Sequence, residues 1–133
     1  MHDSCESEKR HFVRVPVDVK VDYRFVPSSP DLASLKTGQT FHGHTGNVGA
    51  GGLLLVGEIP DNDLIADLLM RRVSLVVEIR LPEHQPINAL ARVAWLEAID
   101  PAGQTCSMGL TFREITTSAQ DELFRFIIHA VSS

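Results

Sequence analysis

A chain of 133 residues, 44% hydrophobic and 22% charged, is long enough for one hydrophobic core and short for two. Its formal charge of -5 argues against long DNA or RNA as a partner, because a phosphate backbone needs a basic footprint; a small anion held by a few local arginines stays open. No apolar run reaches the length of a membrane span, and the start Met1-His2-Asp3-Ser4-Cys5-Glu6 has no signal-peptide core. The expected location is therefore the cytoplasm, without membrane insertion. Cys5 and Cys106 stand far apart without a partner motif and read as two reduced thiols.

Residues 1–10 are polar and charged, the pattern of a flexible arm, and residues 11–133 are expected to form the folded unit. From Val15 to Phe25 apolar and polar residues alternate, which is the pattern of a half-buried strand. Val26-Pro27-Ser28-Ser29-Pro30 breaks it, and Asp31 to Lys36 is expected to make one helical turn. A second strand is expected from Gln39 to Val48, ending in Gly49-Ala50-Gly51-Gly52, and Leu53 to Val56 reads as a buried strand. Leu64, Ile65, Leu68 and Leu69 have helical spacing, with Asp61 or Asn62 as N-cap and Arg71 and Arg72 beyond the end. Three further strands follow: Val73 to Leu81, Ile87 to Leu96, and one carrying Cys106, Met108, Leu110 and Phe112 inward. Thr117 with Gln120 fits a capping box for a last helix whose apolar face includes Leu123, Phe124, Ile127, Ile128 and Val131. Six short strands and one terminal helix point to a mainly β fold. A six-stranded antiparallel barrel with the helix against one opening hides the strand edges.

Two motifs carry chemistry. Lys9-Arg10-His11-Phe12-Val13-Arg14 places two arginines four apart before the first strand, and Asn47-Val48-Gly49-Ala50-Gly51-Gly52 closes the second. Together, in this order, they resemble the RxxxR and (D/N)xSxxG signatures of the PilZ family. The likeness extends to the Arg92-Val93-Ala94-Trp95 and Gly109-Leu110-Thr111-Phe112 strands and the final helix. The resemblance implies a six-stranded barrel that binds cyclic di-GMP, with Arg10 and Arg14 as the clamp, and Asn47, Gly49 and Gly52 in the second signature. It further implies that a basic residue just before RxxxR, here Lys9, favours two intercalated ligands over one. The chemistry of the residues agrees: a guanidinium can meet guanine O6 and N7 bidentately, stack on a purine and pair with phosphate oxygens. The carbonyl and amide of Asn47 can both address a guanine edge. Where the family pattern has serine this chain has Gly49, which removes a hydroxyl worth on the order of 1 kcal/mol.

No Ser/His/Asp arrangement or paired carboxylates stand out, so an enzyme is not expected. With no catalytic or DNA-binding domain visible, a receptor of this kind would bind its ligand, order its arm and signal to a protein partner, with a homodimer also open. The resemblance implies motility or biofilm formation as outputs. The competing reading is a degenerate interaction module that no longer binds nucleotide. His42 and His44 alternate on one strand face but lack a third ligand and read as surface residues, so no metal is expected. Trp95 is read as core in preference to a stacking platform for a base.

Overall fold

The computed structural model describes residues 14–28, 39–100 and 104–132. The expected arm over 1–10, with Lys9 and Arg10, lies outside them, as does the helical turn expected over 31–36.

The alternating run makes two strands, not one: β1, Arg14–Val15, and β2, Lys20–Pro27. Pro16 lies in the gap between them and has no N–H to give to a ladder. A buried side chain bridges the gap. Thr45 donates its hydroxyl to the Val17 carbonyl (2.6 Å) and accepts from the Val19 N–H (3.0 Å).

The chain continues through β3 (Phe41–Gly49), β4 (Gly52–Glu58), α1 (Leu64–Leu69), β5 (Val73–Arg80), β6 (Ile87–Ala98), β7 (Thr105–Ile115) and α2 (Thr117–Ser132). Every pairing is antiparallel, and the order β3-β2-β5-β6-β7-β4 closes because β4 also pairs with β3. The result is the expected six-stranded barrel with its C-terminal helix. β1 is an extra short strand on β3, with Arg14 opposite Gly49 and Val15 opposite Val48.

The core follows from the period-two pattern. Val21, Tyr23 and Phe25 of β2 face inward with Leu75, Val77 and Ile79 of β5. The Tyr23 ring stacks on Phe41 (5.6 Å) and meets Phe25 edge-on (5.7 Å), and its hydroxyl donates to the Glu58 carbonyl (2.6 Å). Burial pushes that phenol well above its ordinary pKa.

Both helix starts differ by a residue or two from expectation. Asp63 occupies the N-cap of α1, while Asp61 accepts from the Asp63 N–H (2.6 Å) and braces the turn before it. At α2 the cap is Thr116, whose hydroxyl accepts from the Ala119 N–H (3.1 Å), not Thr117. Leu123 of α2 enters the main core. Ile127 forms a satellite cluster with Val15 and Ala50, while Phe124, Ile128 and Val131 remain exposed.

Candidate ligand site

One continuous inward row orients the outer surface. Val48, Leu53, Leu110 and Val93 are fully buried and are linked by register across β3, β4, β7 and β6. Residues on either side of that row face outward by alternation. On one side lie Asn47, Leu54, Gly109 and Trp95; on the other lie Gly49, Gly52, Thr111 and Arg92, with Arg14 of β1 opposite Gly49.

Asn47 faces outward because of a bulge. The register shifts between Thr45 and Asn47, which makes Gly46 the extra residue. Thr45 is buried, so uninterrupted alternation would turn Asn47 inward; the bulge reverses it. The Leu54 side chain covers Gly46 so closely that a Cβ there would collide with it. Once turned outward, the Asn47 carbonyl oxygen accepts from Arg14 Nη1 at 3.3 Å. The first signature's second arginine and the second signature's first residue thus meet.

The glycines of the second signature have separate jobs. Gly49 lies across from Arg14 and contributes no hydroxyl. Gly52 sits against β7, where a Cβ would run into the Leu110 carbonyl oxygen, so only glycine permits that strand approach. Gly51 accepts the Phe112 N–H through its carbonyl (2.9 Å).

Trp95 corrects an expectation. It is 45% exposed and lies on Gly109, where any Cβ would strike the indole. A second register shift, between Val93 and Trp95, turns it out of the core. Its placement on the same face as Asn47, and the presence of Arg92 and Thr111 beside it, were not legible in the strand pattern.

Charge is segregated on this face. The chain has 17 acidic and 12 basic residues, yet the two outward rows hold Arg14 and Arg92 and no carboxylate. On another face the charges are paired: Arg80 binds Asp22 (2.8 Å) and Glu78 (2.6 Å), and His42 Nδ1 meets the same Asp22 (2.7 Å). The His42 and Arg80 hydrogen bonds hold the Asp22 carboxyl below the usual carboxylate range. Among the described residues no group of three or more His, Cys, Asp or Glu is arranged to hold a metal ion.

The model of the PilZ domain matches residues 8–129. The chain belongs to the PilZ family. PilZ domains bind cyclic di-GMP as a ligand and use no metal cofactor. Solved structures share the fold. The inhibitor of motility MotI (DgrA) from Bacillus subtilis superposes with a TM-score of 0.59 at 22% identity, covering 90% of this chain and 50% of that one. The PilZ domain of YcgR from Escherichia coli, solved with cyclic di-GMP, gives 0.58 at 12%, covering 93% and 92%. The PilZ domain of CeSA from a cellulose-synthesizing bacterium gives 0.56 at 11%, covering 88% and 96%. This PilZ chain spans about half the length of MotI. No curated protein sequence matches it. No helix among the described residues is long and apolar enough to cross a membrane.

Proposed function

We propose that this PilZ domain is a cytoplasmic cyclic di-GMP receptor and not an enzyme. Arg14 and Asn47 take a guanine edge and a phosphate, Trp95 stacks on a base, and the N-terminal segment with Lys9 and Arg10 folds over the ligand. The observation that carries this reading is the 3.3 Å Arg14–Asn47 contact, which joins the two signatures on an outward band free of carboxylates. Guanidinium suits the ligand because it can pair with phosphate or the O6/N7 edge and also stack. The cyclic di-GMP bound to the YcgR domain supports the same ligand here. The bound state signals to a protein partner, with motility or biofilm formation as the process controlled.

Calorimetric titration tests it. The wild-type chain binds cyclic di-GMP in the micromolar range, and Arg14→Ala loses several kcal/mol of affinity, on the order of 2–5. Wild-type affinity in that variant removes the clamp. A second reading has its own observation: Gly49 leaves the signature without its hydroxyl, while Phe124, Ile128 and Val131 form an exposed apolar stripe. On that reading the domain is an interaction module that does not bind nucleotide, and a flat titration of the wild-type chain establishes it.

A further inference from the structure

We propose that Arg92 is a second anion contact of this band: it takes a phosphodiester of cyclic di-GMP from the side opposite Arg14, and Arg113 reinforces its field. The inference rests on the receptor reading above and adds a residue that belongs to neither signature.

Register places Arg92. It pairs with Thr111, which pairs with Gly52, and beyond Gly52 lie Gly49 and its partner Arg14. Arg14 and Arg92 therefore bracket the band from strands four steps apart, about 19 Å along the curved sheet at about 4.8 Å per step. What lies between them on that level is two residues without side chains and one threonine. Gly49 and Gly52 are buried and Thr111 is half-buried, so no long side chain of the intervening strands stands between the two arginines on that level. Trp95 flanks the Arg92 end, so a base stacked on the indole brings its phosphate toward Arg92.

The electrostatics agree with this placement. Arg92 forms no ion pair with a described carboxylate. Arg113 sits at a register shift of β7 and crosses β6 to donate to Ser74 Oγ at 3.1 Å. Ser74 is 3% exposed and shares a further hydrogen bond with Ser28 Oγ (3.2 Å). Arg113 is thus fixed by a neutral hydroxyl at the level of Arg92, and its charge adds to that of Arg92. Glu97 and Glu114 stand outside the band, on the levels beyond Trp95 and Arg92. A cyclic dinucleotide carries two phosphodiesters on opposite sides of one ring, so it offers an anion to each end of the band. Arginine can grip such a group through two parallel N–H···O bonds.

The test is calorimetric titration of the full chain with cyclic di-GMP at two salt concentrations, comparing wild type, Arg92→Gln, Arg92→Lys and Arg14→Ala. The expected result is at least a tenfold weakening in Arg92→Gln, with reduced salt sensitivity, and a partial recovery in Arg92→Lys, which keeps the charge and loses the fork. Melting temperature checks the fold, and Arg92→Met, which keeps the apolar stem, replaces the glutamine variant should that one melt early. Wild-type affinity and salt sensitivity in the Arg92 variants overturn the second contact and leave the receptor reading standing, because Arg14→Ala still fails to bind. No binding by the wild type overturns both.

Discussion

Arg14 and Val15, neighbours in a two-residue strand, look in opposite directions. Arg14 reaches outward to Asn47, whereas Val15, 7% exposed, packs against Ala50 and Ile127 of the last helix. Whatever holds Arg14 therefore also holds the backbone on which the helix rests, and by linkage the helix affects the ligand equally. Cyclic di-GMP should raise amide protection in the last turns of α2. Val15→Ala should weaken ligand binding by about 1 kcal/mol, roughly fivefold, and abolish that added protection. Hydrogen exchange with and without ligand measures both; an indifferent helix means that the two faces of β1 act independently.

Trp95 is the one tryptophan in the chain, so its emission reports on the site alone. Titration with cyclic di-GMP should change the fluorescence in step with the calorimetric curve. Trp95→Ala should cost binding about 1–3 kcal/mol, the usual worth of a stacked base, and little stability. Unchanged affinity would leave the indole as a cover for Gly109.

Two glycines of one motif should respond in opposite ways. Gly49→Ser restores the hydroxyl of the family signature and should tighten binding by about 1 kcal/mol at most. Gly52→Ala puts a Cβ into the Leu110 carbonyl, a backbone atom that cannot swing aside, and should destabilise the barrel by more than about 2 kcal/mol. Denaturant unfolding of both variants beside their titrations separates the effects. A stable Gly52→Ala protein would show that β4 and β7 can shift apart.

Acid should weaken the fold through two carboxylates. The His84 hydrogen bond (2.6 Å) holds Glu122 below its ordinary pKa, as His42 and Arg80 do for Asp22. A carboxyl depressed in the folded state stabilises above its unfolded pKa, near 4 for these groups, and that contribution disappears as pH falls through the folded value. Unfolding midpoints should therefore drop below about pH 4.5, and Glu122→Gln should flatten part of the fall. An identical profile in the variant removes the His84–Glu122 pair from the account.

Ligand stoichiometry tests Lys9. Two stacked dinucleotides bring four phosphate charges together, and a third cation beside Arg10 and Arg14 relieves their repulsion. The expected ratio is two per chain, falling to one in Lys9→Ala. A mutant that keeps both ligands shows that the arginines alone hold the stack.

Much of the barrel was legible because its strands alternate cleanly: Val73 to Arg80 could be read inward and outward without coordinates. The site was less so, and for one physical reason. Alternation predicts facing only until a bulge intervenes, and both key outward residues follow one. Gly46 turns Asn47 out, and the shift after Val93 turns Trp95 out; neither leaves a side-chain signal, so Trp95 reads as core. Arg92 belongs to neither signature, and its meaning comes from lying across Thr111 from Gly52. The break at Pro16 was visible as a proline, but its repair by Thr45 needs a partner distant in sequence.

The cluster of Val15, Ala50 and Ile127 also fixes an order of assembly. In chain order α2 follows every described strand, so β1 gains this packing partner only after those strands have been made. Every strand pairing of the barrel can form before that partner exists. A chain clipped short of Ile127 should therefore retain its strand pairings while Val15, the neighbour of Arg14, loses its packing partner.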